Sequence, residues 1–173
     1  MKFVALLRGI NVGGKHQVTM TELKHLFETL GFHSVSTYIN SGNVKFSSPL
    51  SPPVIRQKLE LNFKLAFGFN IPTLVKTEKE MLAIVKAIPK TWENNSLQKS
   101  DIAYLFPEID TPNTVSQLPL NPNYVDIRYI KGAILWNIKR INYGRSHLNK
   151  LAGHKLYKFM TIRNLNTAKA LCV

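Results

Sequence analysis

The sequence predicts an α+β fold of two halves, each with its elements in the order β-α-β-β-α, as a structural duplication would give. Three observations predict it: apolar runs and alternating segments of strand length, apolar residues at i, i+3, i+4 and i+7, and a polar stretch that separates one such series from the next. With 173 residues, 45% of them hydrophobic, the chain can bury a core as one ordinary domain or two small ones.

The elements follow in order. Phe3 to Leu7 is a continuous apolar run suited to a strand buried on both faces. Leu23, Leu26, Phe27 and Leu30 share one face of a helix that Thr19 and Glu22 open as a capping box and Gly31 stops. Val35, Thr37 and Ile39 alternate before "NSGN", and Val44 and Phe46 after it, which is a hairpin. Pro52 and Pro53 start a helix with Ile55, Leu59, Phe63 and Phe67 on one face and Gly68 at its end; "IPTLVK" (71 to 76) reads as a strand. The first 76 residues thus have the ferredoxin-like order β-α-β-β-α-β. A third helix carries Met81, Ile84, Val85 and Ile88 and ends before Pro89.

The polar, turn-rich segment "KTWENNSLQKS" (90 to 100) marks a boundary, giving an N-terminal half over 1–90 and a basic half over 100–173. In the second, "DIAYLF" (101 to 106) is a strand, the proline-rich stretch to Pro122 has room for a short helix, and strands 124–130 and 133–138 flank a turn at Lys131-Gly132. Two basic helices, 146–158 and 164–172, are expected to close the chain.

Charge is the strongest compositional signal: 23 Lys and Arg stand against 10 Asp and Glu. Residues 127 to 173 hold ten cations and no acid, a one-signed field that attracts nucleic acid, nucleotides and other polyanions. A basic pI is also an ordinary solubility property. No apolar stretch reaches the length of a membrane span, and Arg8 ends the first one too early for a signal peptide. A single cysteine, Cys172, fits a reducing cytoplasm.

Gly9, Gly14 and Lys15 match the spacing of a nucleotide-phosphate loop. Such a loop needs its helix to begin at the Gly-Lys pair and a following hydroxyl to hold Mg²⁺, whereas here residue 16 is His and the helix signals start at Thr19. The remaining readings are a plain turn out of a buried strand, or glycines that bring backbone donors to an anionic ligand beside Arg8, Asn11 and Lys15. An arginine at the mouth of a core strand favours the second, because it needs a partner.

The acids lie mainly on helices among lysines, and the five histidines show no metal-ligand spacing, so neither a paired-carboxylate mechanism, a metal nor a cofactor is expected. A nucleophile–base pair such as Ser41 with His16 depends wholly on the fold.

"FVALLRGINVGGK", "TYINSGNVKF", "GFNIPTLVKTEKEM" and "GRSHLNKL" with "TIRNLNTAKAL" resemble, in order, the signature segments of the domain of unknown function 1697 family of bacterial proteins. The resemblance implies two ferredoxin-like halves, a cytoplasmic location and no established reaction. Leu165 stands where the family usually has Trp. The resemblance groups three polar clusters: Arg8, Asn11, Gly13, Gly14 and Lys15; Asn40, Ser41 and Asn43; and Arg145-Ser146 with Arg163-Asn164. The second group are also ordinary turn residues, and Ser146 and Asn164 ordinary N-caps.

The functional expectation is an anion-binding protein. It would hold a phosphate-bearing small molecule or nucleic acid through the glycine loop and two arginine-flanked helix starts, with Tyr129, Trp136, Tyr143 and Tyr157 available to stack bases. The alternative is an enzyme that acts on a small anionic metabolite in the same basic pocket.

Overall fold

Phe3 to Leu7 form the core of β1 (Lys2–Leu7), buried on both faces as an uninterrupted apolar run requires. The computed structural model describes residues 1–172, and these divide into one compact unit, Met1–Met81, and a second from Leu82 onward.

In the first unit β1 is followed by α1 (Met20–Thr29), β2 (His33–Tyr38), β3 (Asn43–Ser47), α2 (Pro52–Phe67) and β4 (Thr73–Thr77). The sheet is antiparallel in the order β2-β3-β1-β4, so the two strands joined by α2 lie apart with β1 between them. Phe3, Ala5 and Leu7 of β1 pack with Leu23 and Phe27 of α1, Phe46 of β3, and Ile55, Leu59 and Phe63 of α2. The expected helix faces are therefore the faces that are buried.

The ends of these helices also follow from local chemistry. Thr19 and Glu22 form the capping box: Thr19 Oγ1 accepts from the Glu22 amide at 3.1 Å, and Glu22 accepts from the Thr19 amide at 3.0 Å. Pro52 and Pro53 occupy the first two helical positions of α2, where no amide hydrogen is required, and Gly68 closes it at φ +80°. A second capping box, Thr77 with Glu80, opens α3 (Glu78–Lys86).

The second unit contains β5 (Gln98–Leu105), α4 (Thr114–Gln117), β6 (Asp126–Ile130), β7 (Ala133–Lys139), α5 (Tyr143–Ser146), β8 (Met160–Asn164) and α6 (Leu165–Ala170). Its sheet has the order β6-β7-β5-β8, again with the unit's first strand between its last and its third. Two antiparallel four-stranded sheets of the same order, each with helices, make the chain an α+β protein of two similar halves. The expected Lys131-Gly132 turn joins β6 to β7, with Gly132 at φ +88°.

Two expectations for this unit are corrected. β5 begins at Gln98, inside the stretch read as boundary, because Gln98, Lys99 and Ser100 pair with Lys139, Ile138 and Asn137 of β7. The basic helix expected over 146–158 does not form. α5 ends at Ser146, His147 takes the left-handed φ of +62°, and 3₁₀ turns follow at Leu148–Gly153 and Tyr157–Phe159. The chain from 164 to 172 shortens to the six residues of α6. Ala103, Leu105, Ile134, Trp136, Leu148, Leu151 and Met160 form the core of this unit.

Candidate functional site

The loop after β1 owes its shape to one amide side chain. Asn11 Oδ1 accepts from the Val18 amide at 2.8 Å, while Nδ2 donates to the carbonyls of Val18 and Asn40, both at 2.9 Å. The first unit thereby brings the glycine loop and the "NSGN" tip together. Between Asn11 and Val18 the chain makes a two-residue turn: the Lys15 amide donates to Val12 O at 3.1 Å, and the Asn11 amide donates to His16 O at 3.1 Å. Gly13 and Gly14 have φ of +59° and +74°, positive at both central positions as a type I′ turn demands. The Gly-Lys pair thus sits at a hairpin tip, five residues before α1, and not at a helix start.

The tip offers the amides of Gly13 and Gly14, which make no hydrogen bond among the described residues, with the exposed Lys15 beside them. Arg8 is partly exposed at the end of β1, and its amide donates to Pro72 O at 2.9 Å. His16 stacks on Phe69, ring centroids 4.3 Å apart, with Nδ1 3.3 Å from Gly9 O; it is occupied there and not with Ser41.

In the "NSGN" tip, Asn43 is fully buried and its Nδ2 donates to Tyr38 O at 3.0 Å and Ser41 Oγ at 2.9 Å. Gly42 lies so close to β1 that an added Cβ would stand 2.8 Å from Leu7 Cβ and 2.9 Å from Ile10 Cδ1. Asn11 and Asn43 therefore spend their amides on the architecture, and Asn40 contributes its carbonyl to it.

In the second unit Arg145 is exposed, with its guanidinium 5.7 Å from the centre of the Tyr124 ring. Ser146 is buried and closes α5 instead of opening a helix: its Oγ donates to Tyr143 O at 2.6 Å and accepts from the Leu148 amide at 3.2 Å. Arg163 is a β8 residue paired with Ile102, 8% exposed, and its Nη1 donates to Thr161 Oγ1 and Ile162 O, both at 2.9 Å. Burial lowers its pKa to about 10, an effect that the nearby Tyr104 opposes. Asn164 is the expected cap, accepting from the Thr167 amide at 2.8 Å at the start of the short α6.

Of the aromatics offered for stacking, Trp136 is sealed in the core, where its Nε1 donates to Asp101 Oδ2 at 3.2 Å; Lys99 Nζ lies 2.7 Å from the same carboxylate oxygen. Tyr129 donates to Asp110 Oδ1 at 3.0 Å, and Tyr143 is 44% exposed. Tyr104 is buried, its hydroxyl without a hydrogen-bond partner among the described residues, and burial raises its pKa above the ordinary value.

A cleft of about 640 Å³ in the second unit was not expected. Trp92, Leu97 and Gln98 of the 91–98 segment line it, with Asn137, Lys139, Arg140 and Ile141 at the end of β7. Arg140 ties the two walls together, its amide donating to Leu97 O at 2.8 Å and its Nε to Asn95 O. None of the residues expected to bind an anion lines this cleft. The exposed apolar residues Leu97 and Ile141, set among polar neighbours, were the signal available in the sequence.

A family model described as "Protein of unknown function (DUF1697)" matches residues 1–136. The solved structure of the conserved bacterial protein SP0830 from Streptococcus pneumoniae is similar, with 29% identity, a TM-score of 0.85, and coverage of 99% of this chain and 96% of that one. No curated protein matches.

Proposed function

Because the chain belongs to the DUF1697 family, whose description carries no activity, we propose from its own chemistry that it binds phosphate-bearing ligands, either a nucleotide or a nucleic acid strand. The observation that carries this reading is the state of the ten cations between residues 127 and 173. Nine are exposed, Arg163 being the buried one, and of those nine only Arg128 is ion-paired among the described residues, to Asp126 at 3.5 Å. Cations left in water without counter-charges retain their attraction for polyanions, and a strand that neutralises them releases its own counterions.

In the first unit the Gly13 and Gly14 amides, Lys15 and Arg8 offer a second, smaller set of donors on the loop that Asn11 ties to Asn40, in the tip where Asn43 holds Ser41. Among the described residues no helix is long and apolar enough to cross a membrane. A cytoplasmic location, where nucleotides and RNA are at hand, belongs to the same proposal.

Fluorescence anisotropy of a labelled single-stranded RNA, repeated over a range of salt, tests it. Each neutralised phosphate adds about 0.7 to the slope of log affinity against log salt. Converting Lys150, Lys155 and Lys158 together to Gln is expected to flatten that slope by about two. Lys15→Gln reports on the glycine hairpin. An affinity that is absent, or indifferent to salt, overturns the reading.

A further inference from the structure

We infer that the cleft between the 91–98 segment and the end of β7 is a binding site for a nucleoside phosphate, taken either free or as one residue of a single strand. This rests on the reading above and gives it a place and a ligand class.

The volume, about 640 Å³, lies within the range of ligand pockets, which are mostly apolar with a few fixed polar groups. Here the apolar part is Trp92, buried and stacked against Arg128 at 5.4 Å, together with Leu97 and Ile141. The last two are 75% and 90% exposed, an arrangement that leaves large aliphatic surface in water until a flat, weakly hydrated body covers it. The rings of a base have two such faces.

The polar part distinguishes a nucleotide from a plain hydrophobe. Asn137 Nδ2 spends both hydrogens, on Gln98 Oε1 and Ser100 Oγ at 2.7 Å each. Its Oδ1 accepts nothing among the described residues and remains for a ring N–H or an amino group. Among the described residues Lys139 is exposed without an ion pair, and Arg140, fixed by Asn94 and Asn95, keeps Nη1 in reserve. Among the described residues no acidic side chain lines this first cleft. A neutral ligand would leave these two cations unused, and inorganic phosphate would leave the apolar walls wet.

A second cleft of about 400 Å³, more polar, adjoins the first: Asn137 and Lys139 line both, and Tyr124, Asn142 and Asp126, whose carboxylate is ion-paired to Arg128 at 3.5 Å, line the rest. The Lys139 ammonium thus stands where a phosphate joining two residues of a strand would pass. That continuity gives the strand and the free nucleotide the same first contact.

The test is a ¹H–¹⁵N NMR titration of the full chain with adenosine monophosphate and, separately, with a six-residue oligoadenylate. The indole N–H of Trp92 and the side-chain amides of Gln98 and Asn137 are expected to shift saturably with either. Tighter binding of the oligomer assigns the site to a strand; equal binding assigns it to the nucleotide. Lys139→Gln is expected to weaken binding about tenfold, the loss of one charge-assisted contact. Ile141→Asp is expected to abolish it. Both positions are exposed, so the rest of the spectrum stays unchanged. The inference is overturned if those signals stay still with both ligands, if inorganic phosphate moves them as adenosine monophosphate does, or if Ile141→Asp binds within twofold of the parent. Should the oligomer bind through its charge while the cleft signals do not move, the site falls and the general reading of a polyanion-binding protein stands.

Discussion

Gly42 shows how little freedom a single position can have. Its φ of +74° and the 2.8 Å approach that a Cβ would make to Leu7 Cβ both forbid a side chain, and neither can relax without displacing β1. Gly42→Ala is expected to cost about 2–4 kcal/mol in urea unfolding, combining left-handed strain with overpacking. Tyr104 is the opposite case. Its hydroxyl is buried and finds no hydrogen-bond partner among the described residues, so Tyr104→Phe is expected to leave stability unchanged or raised by up to about 2 kcal/mol at neutral pH. The pH dependence has a definite sign. The phenol's pKa is raised in the folded state, so above the unfolded value of 10.0 the native form binds more protons and stability falls as pH rises. The advantage of Tyr104→Phe over the parent should therefore widen above that pH. Arg163 acts in reverse: its folded pKa is depressed, so its contribution rises with pH from about 10, and because Tyr104 opposes that depression, its removal lets Arg163 add to the same widening of the difference between the two proteins.

At the scale of elements, capping chemistry was the most readable feature. Thr19→Ala removes the hydroxyl of the α1 box and is expected to cost about 1 kcal/mol by thermal or urea unfolding. Hydrogen bonds from the Thr19 hydroxyl and amide hold the Glu22 carboxyl below the usual carboxylate range, so its share is present at neutral pH and is lost as pH falls through that lowered value. Comparison of Glu22→Gln with the parent over an acid titration checks this: the gap should close at low pH. The first unit was legible because its helices obey the 3.6-residue period and its strands are bounded by Gly, Pro and Asn. In the second, the connection from β7 to β8 is built of segments of one or two turns, and the left-handed His147 interrupts what reads as a continuous basic helix; no long period exists to betray such turns. The candidate site divided in the same way. The glycine loop and the "NSGN" tip, local in sequence, could be read from it as turns, and Asn11 joins them. The 640 Å³ cleft, assembled from two segments some forty residues apart, was not.

For the molecule as a whole, the formal charge of +13 is a standing internal repulsion. Raising ionic strength from about 10 mM to 150 mM shortens the screening length from about 30 to 8 Å, so the Tm is expected to rise over that interval, and a polyanion should raise it further. A Tm that falls with salt would mean that ion pairs outweigh repulsion. The two sheets share one strand order although their connections differ, which separates what the architecture holds fixed from what it lets vary. The glycines extend that contrast into ancestry. Gly13 and Gly14 stand in open space, so as far as packing goes only their dihedral angles filter mutations, and an evolving lineage can exchange them for Asn, which keeps the backbone donors and adds no negative charge, at slight expense. Gly42 is hemmed in on every count and admits no such drift, so of these glycines it is the one whose replacement would signal a descendant that had rebuilt the end of its first strand.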